Sequence, residues 1–527
     1  MKKNKCLITL APEGREITGV EGDSLYTLLL VAGAIRAGQA DGDKVRLERG
    51  MLSEAEDPSL ERAAFSSSER ADGWILASQH KLLGDAVIAL NHSVVEQPPS
   101  GQPLARGYGL AVDVGTGTIA AGLVNLGNMQ IPDISALRNS QGMVGEDIND
   151  RISWCRSRED GLTMLHQMVW RDINTLAAKL IIKAGISPDQ VNAVSLVGNF
   201  AICRMLWHEQ PFGSYGDEWH HIQVKTAAEV GLTAINPAAK LYLLPAAAND
   251  IGADTVAAVM ATELTKRLHD QRLTLLVDLG MSGEIIIAGR GRLLAASVSA
   301  LPFEGASISC GMSASTGAIT RVYIGDDVTL QTVRDGRPRG LCGAGLISAV
   351  HMMLEHGMLD QEGRIVVNER LPQAVLRRLR GTVVGREFLL SAGGGLYGDI
   401  CINQNDIRET QLAKGAIYAA CQALLAEFGA DEQDIEEIWL AEAFRAHIDP
   451  ASALKVGLIP DVEARRVVAV DNAAWQGVYM ALSNGAYLSE SEDIAALIRR
   501  LDLSVNMVYA EQFLAAMNFA SAEDDYD

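Results

Sequence analysis

Two aspartates, each ending an apolar strand and each followed by a glycine-rich turn, are the residues of this chain best suited to hold a phosphate. The first stretch reads Gly109-Leu-Ala-Val-Asp113-Val-Gly115-Thr116-Gly117-Thr118; the second reads Leu275-Leu-Val-Asp278-Leu-Gly280-Met-Ser282-Gly283-Glu284. Glycines let backbone N–H groups approach an anion closely, and the hydroxyls of Thr116, Thr118 and Ser282 add further donors. An aspartate beside such a turn can orient water on Mg²⁺, a hard ion that prefers carboxylate and water oxygens. Taken singly, either turn reads equally well as an ordinary hairpin with a polar tip. As a matched pair they point to a duplicated nucleotide-binding architecture.

Three further stretches carry polar groups beside glycines. Leu301-Pro-Phe-Glu304-Gly-Ala-Ser307-Ile-Ser309-Cys310-Gly-Met312 offers a carboxylate and two hydroxyls to a nucleotide or a partner. Gly340-Leu-Cys342-Gly343-Ala344-Gly345 precedes a helix whose free N–H groups favour an anion. Each of these is also what a tight turn required by packing looks like. Asp406, Arg408 and Lys414 surround the start of a helix expected over Gln411–Phe428 and either contact a base or ribose or form a solvated face. His208, His220 and His221 near Asp217 and Glu218 lack the i,i+4 spacing of a helical metal site. The seven cysteines form no CxxC pair, so they are expected to be small buried hydrophobes.

The elements that must position these residues follow from pattern. A chain of 527 residues exceeds one hydrophobic core, and 48% hydrophobic with 21% charged residues is a globular composition. Residues 4–10 and 15–20 read as a hairpin around Pro12-Glu13-Gly14, followed by a helix capped by Asp23 or Ser24 and short strands at Lys44–Leu47, Trp74–Ser78 and Asp85–Leu90. That order fits a small β-grasp domain over residues 1–95. The proline-rich segment 96–107 reads as a linker. Strands then alternate with helices, and the pattern restarts at Leu273–Asp278. The fold class expected is therefore α/β, with an α+β N-terminal domain followed by a duplicated actin-like, RNase H-like fold. The first actin-like subdomain is placed at 108–205 and the C-terminal domain at 206–527. A helix is expected over Asp254–His269. The net charge of −21 argues against nucleic acid, and no window resembles a membrane span or signal peptide, which places the protein in the cytoplasm.

The strings Val277-Asp-Leu-Gly-Met-Ser-Gly-Glu284, Glu304-Gly-Ala-Ser-Ile-Ser-Cys-Gly-Met312, Gly340-Leu-Cys-Gly-Ala-Gly345, Asp406-Ile-Arg-Glu-Thr-Gln-Leu-Ala-Lys-Gly-Ala-Ile417 and Ile448-Asp-Pro450 resemble the reductive activators of corrinoid proteins. So do Gly145-Glu-Asp147 with Arg151-Ile152, and Asn199 in Leu-Val-Gly-Asn. The resemblance spans nearly the whole chain. It implies an N-terminal β-grasp [2Fe–2S] domain, a linker, a middle domain and an actin-like ATPase domain that uses ATP to return Co(II) corrinoid to Co(I) for a methyltransferase. It also implies ATP and Mg²⁺ as ligands, a corrinoid protein or methyltransferase component as partner, and a homodimer. Asp113, Asp278, Gly115, Thr116, Gly117, Thr118, Gly280, Ser282, Gly283, Glu284, Glu304, Ser307, Gly343 and Lys414 are the site residues this assigns, with Asp113 and Asp278 reaching Mg²⁺ through water.

Two departures from the family pattern bear on function. The family's cluster strand reads Gly-Tyr-Arg-Leu-Ala-Cys; here it reads Gly73-Trp-Ile-Leu-Ala-Ser78-Gln79, and the cluster loop appears as Gly38-Gln-Ala-Asp-Gly-Asp43-Lys-Val45 without cysteine. Such a cluster needs four thiolates, so no [2Fe–2S] cluster is expected and electrons must come from a separate donor. The family's adenosine loop, Ala-Gly-Gly-Phe-Gly, is here Ala441-Glu442-Ala443-Phe444-Arg445. A carboxylate at Glu442 repels phosphate unless Arg445 offsets it. Two readings stand: an ATP-dependent activator, and a non-catalytic relative that binds a corrinoid protein or other ligand as chaperone or regulator. A sugar or acid kinase of the same superfamily is a third, for which no specific base motif is present.

Overall fold

The computed structural model describes residues 5–11, 15–20, 22–31, 44–55, 70, 73–90, 101–213, 217–280, 282–298, 307–333, 336–383, 385–395, 398–442 and 448–519. Glu304, the loop 38–43, the segment 443–447, the turn 12–14 and residues 96–100 of the expected linker lie outside these.

The N-terminal sheet contains β1 (Lys5–Ala11), β2 (Arg15–Val20), β3 (Lys44–Leu52), β4 (Trp74–Leu76) and β5 (Leu82–Leu90), in the order β2-β1-β5-β3-β4. β1 and β5 run parallel, with Ile8 opposite Ala86, while β1–β2, β3–β5 and β3–β4 are antiparallel. This is the strand order of a β-grasp. Alternate residues Ile8, Leu10, Leu82 and Ile88 turn inward to meet Leu25 and Leu29 of the helix Leu25–Val31. Cys6 is buried in β1, and Ser78 lies exposed in the turn after β4.

The middle sheet contains β6 (Tyr108–Val114), β7 (Thr118–Asn125), β8 (Gln130–Arg138), β9 (Val191–Gly198), β10 (Gln223–Thr226) and β11 (Lys240–Leu243). Its order is β8-β7-β6-β9-β11-β10: the first three strands are antiparallel neighbours, and β9 and β11 continue in parallel. The C-terminal sheet repeats this plan with β12 (Leu273–Leu279), β13 (Gly283–Gly289) and β14 (Arg292–Val298) as antiparallel neighbours. Further strands β15 (Ala318–Ile324), β16 (Val328–Thr332), β17 (Gly340–Leu341), β18 (Leu379–Thr382), β19 (Gly385–Gly395) and β20 (Gly398–Asn403) form two three-stranded sheets of their own. β21 (Ile435–Glu442) and β22 (Val467–Asp471) then extend the C-terminal sheet in parallel, and β23 (Arg499–Arg500) closes its far edge. Two sheets with one connectivity are the physical form of the duplication. The expected boundary at residue 205 falls inside the middle sheet, because β11 pairs with β9 and only the completed sheet buries both.

Leu110, Ala111, Val112 and Val114 of β6 are all buried, the signature of a central strand covered on both faces. One face meets the helix Gly161–Ala184, whose Leu165, Val169, Ile173, Leu176 and Leu180 recur at helical spacing; Gly185 ends it in a left-handed turn, φ 66°. On the other face lies the helix Ala473–Ser483, which returns from the C-terminal part of the chain. There it packs on the helix Ala253–Ala261, with Gly477 against the Ala257 carbonyl. One apolar cluster therefore joins Val256 and Val478 to Leu276 and Ile286 of the C-terminal sheet and locks the two halves together.

The helix expected over Asp254–His269 stops at Ala261. Thr262 turns its hydroxyl back onto the Ala258 carbonyl (2.8 Å), Glu263 takes a left-handed φ of 53°, and residues Leu264–His269 form a 3₁₀ turn. The helix expected from Gln411 begins at Gln404 instead, because Asn403 and Asp406 cap it reciprocally. Among the described residues no helix is long and apolar enough to cross a membrane.

Candidate active site in the cleft between the two sheets

Asp113 and Asp278 lie near the carboxyl ends of β6 and β12, the equivalent central strands of the two sheets. In open α/β sheets this is the end where ligands bind. The first turn is a four-residue loop closed by Gly115 N–H donating to the Thr118 carbonyl (3.0 Å), and a Cβ at Gly115 would crowd that oxygen at 2.8 Å. Asn139 braces it twice: its side-chain N–H donates to Gly115 O (3.0 Å) and its backbone N–H to Gly117 O (2.9 Å). Asn199, following β9, donates to the Thr116 hydroxyl (3.0 Å) and caps the helix Phe200–Leu206. Beneath the turn lies Arg151, fully buried, whose guanidinium donates to Thr116 O (2.6 Å), Gly145 O (2.9 Å) and Gln141 Oε1 (3.1 Å). Burial lowers its proton affinity to about 10.

The second turn is one residue tighter, with Gly280 N–H donating to the Ser282 carbonyl (3.0 Å). Its register sets Asp278 opposite Glu284, where the first sheet sets Asp113 opposite Ala120. The Ser282 hydroxyl donates to Glu284 Oε1 at 2.7 Å. A fourth carboxylate, Asp254, enters from the first turn of the helix Ala253–Ala261, where Gly252 packs directly on Asn199 Cα.

These four carboxylates act on one another. Burial, then Asp254 and Asp278, push Asp113 up to about 8. Burial and Asp254 push Asp278 up to about 7. Asp254 is raised by burial, and Glu284 is raised well above its ordinary value by burial and by Asp254 and Asp278. Among the described residues no lysine or arginine pairs with any of the four, so in the ligand-free cleft bound protons rather than cations offset their charge. None of the described acidic, histidine or cysteine side chains are gathered three together around a point where a metal ion could sit. This donor set would hold a divalent cation through water once its carboxylates ionise, and such an ion would offset their charge.

The other sequence-assigned residues divide. Thr118, Gly280, Ser282, Gly283 and Glu284 lie on the two turns. Ser307 is exposed beside the buried Ile308. Gly343 starts the helix Gly343–Glu355, buried against β15, and Gly345 leaves no room for a side chain beside the Ile319 carbonyl, so packing accounts for Gly345. Asp406 is buried and accepts from Ser309 N–H (2.7 Å) and the Ser309 hydroxyl (2.6 Å), which assigns it to bracing a loop instead of contacting a base. The Lys414 ammonium donates to Ala516 O (2.6 Å) and Asn518 O (2.7 Å) beneath Phe519, so it clamps the C-terminal helix Met507–Ala516. His208 bonds to Thr163 and His221 pairs with Glu492, with no shared ligand between them.

Residues that sequence patterns do not assign include Asp254 and Arg151. A carboxylate in a helix's first turn reads as capping, and only the glycine before it, Gly252, hinted at a close approach. Arg151 stood in the sequence only within a family string, without a role.

Comparison with known proteins agrees with this geometry. The family model described as RACo middle region matches residues 108–267, and that of the C-terminal domain of RACo, the ASKHA domain, matches residues 272–526. The corrinoid activation enzyme RamQ of Eubacterium limosum is 25% identical over 437 residues, covering 81% of this chain and 73% of that protein. A [Co(II) methylated amine-specific corrinoid protein] reductase of Methanosarcina barkeri is 27% identical over 289 residues, 50% of this chain and 47% of that protein, so the chain spans about half the length of this relative. The solved reductive activator for corrinoid, iron–sulfur protein superposes with a TM-score of 0.74 at 23% identity over 98% of both chains. With the duplicated sheets, the paired aspartate turns and both domain matches in place, the chain belongs to the family of reductive activators of corrinoid proteins.

Proposed function

We propose that this chain is an ATP-dependent activator that returns the cobalt of a corrinoid protein in a methyltransferase system from Co(II) to Co(I), using an electron from a separate donor. The observation that carries this reading is the meeting of Asp113, Asp254, Asp278 and Glu284 between two glycine turns, one from each half of a duplicated sheet. Backbone N–H groups of Thr116, Gly117 and Ser282 hold phosphate oxygens, with Thr116, Thr118 and Ser282 adding hydroxyls. Asp113 and Asp278 orient the water shell of Mg²⁺, which supplies the positive charge that lets carboxylates and phosphates share one cleft. Relatives named for corrinoid activation and for reduction of a Co(II) corrinoid protein support the substrate class. The absence of any cysteine but Cys6 before residue 155 supports electron entry without a cluster in the N-terminal domain. We place the protein in the cytoplasm as a homodimer.

Titration calorimetry and melting curves with ATP–Mg²⁺ test the nucleotide part; no heat and no melting shift would defeat it. The redox part is read from the absorbance change of a Co(II) corrinoid protein given a chemical reductant, with and without ATP. Iron and acid-labile sulfide analysis tests the cluster, and stoichiometric iron would overturn the assignment of Ser78. One observation favours a second reading, a non-catalytic corrinoid-protein binder. Glu442, which stands where the family has glycine, ends β21 in register with Leu279, one residue beyond Asp278. Binding to a corrinoid protein without ATP turnover is the outcome that would select it.

A further inference from the structure

Among the described residues the four carboxylates have no paired cation, yet the proposed ligand is a polyphosphate. The described positive charge closest to the first turn lies behind it. Arg151, on the helix Ile148–Ser157, is fully buried and makes no direct ion pair among the described residues, Asp147 and Asp150 acting on it at longer range; its N–H groups go to oxygens of the Thr116, Gly145 and Glu146 peptides and the Gln141 amide. Desolvating a guanidinium without a carboxylate in contact is costly, so the contacts it does make define its task. The shortest is to the Thr116 carbonyl, at the tip of the turn. A charge-assisted bond to that oxygen fixes the peptide plane and polarises the Gly117 N–H on the other side of it, the donor that faces outward to an anion. The second turn has no such backing among its described contacts.

We propose that Arg151 is the positioning residue of the phosphate turn: it holds Gly115–Thr118 in the anion-binding conformation and supplies, through the Thr116 peptide, positive charge that the cleft surface lacks. This rests on the reading that the cleft takes ATP–Mg²⁺. Because the same guanidinium grips Gly145 and Gln141, the turn and the 141–147 loop move as one body.

Calorimetry on the full chain, comparing wild type with Arg151→Lys and Arg151→Gln, tests this with two ligands, ATP–Mg²⁺ and adenosine. Arg151→Gln should lose roughly tenfold to a hundredfold in ATP affinity, the range for removing a hydrogen bond to a charged group. Arg151→Lys should recover part of that loss, and adenosine affinity should stay within about twofold, because a sugar and base make no use of the turn's N–H groups. Equal losses for ATP and adenosine would show a general packing role and overturn the proposal, as would unchanged ATP affinity in Arg151→Gln. If wild type itself gives no heat with ATP–Mg²⁺, the nucleotide reading fails, a distinct result. Should both variants fail to fold, hydrogen exchange on wild type decides: ATP–Mg²⁺ must slow exchange at 115–118 and 141–147 together, and protection of the turn alone would refute the coupling.

Discussion

Asp278 and Glu284 face each other directly across the β12–β13 pair, two carboxylates in the position where the equivalent strands of the first sheet set Asp113 against Ala120. Like charges opposed across a strand pair destabilise it. The duplication is thus broken at one register position, and the added carboxylate is tied by Ser282.

Replacing Glu284 by Gln should stabilise the protein in the absence of cations, and only above acid pH. The folded pKa of Glu284 is raised above its ordinary value. The folded state therefore binds the extra proton, and stability from this group is full below the unfolded pKa and lost as pH rises through the folded one. Gln mimics the protonated form. Thermal melts should show Glu284→Gln matching wild type below pH 4 and gaining roughly 1 kcal/mol at pH 8. A difference that is constant with pH would contradict the electrostatic account.

Binding of ATP–Mg²⁺ should release protons. Asp113, pushed up to about 8, and Asp278, up to about 7, hold protons in the ligand-free cleft near neutrality and must give them up to face a cation. Affinity should fall as pH drops from 8 to 6. Calorimetry in two buffers of different ionisation enthalpy measures the release directly, and Asp113→Asn should reduce both the release and its pH dependence.

Gly477→Ala should weaken the clamp between the two halves. A Cβ at this position overlaps the Ala257 carbonyl, a backbone atom that cannot swing aside. Overpacking of this kind costs typically 1–3 kcal/mol, against roughly 1 kcal/mol gained in helix propensity. Urea unfolding should therefore show a net loss; a stabilised variant would mean the helices separate without cost.

Lys414→Met separates the sequence assignment from the structural one. Loss of the ammonium removes two hydrogen bonds to the part-buried Ala516 and Asn518 carbonyls, at roughly 1 kcal/mol. Protease sensitivity should rise within 507–519 while ATP–Mg²⁺ affinity stays within about twofold. A selective loss of nucleotide binding would restore the ligand role.

The sequence by itself determined much of this protein. Strand-ending aspartates followed by glycine turns marked the two loops, because period-two burial and glycine chemistry are local properties. Local patterning also placed the helix after Ser24 and the N-terminal hairpin, and the cysteine content of residues 1–107 is readable without coordinates. Tertiary structure alone decided which distant groups share the cleft. Asp254 looked like a helix cap until the helix Ala253–Ala261 was docked on the end of β9, and Lys414 looked like a ligand contact until the C-terminal helix folded over it. Arg151 acquired a role only when Thr116 and Gly145 closed around its guanidinium. Desolvation and charge coupling depend on separations in space that residue spacing does not encode, so the chain announces its turns while the fold chooses the charges that surround them.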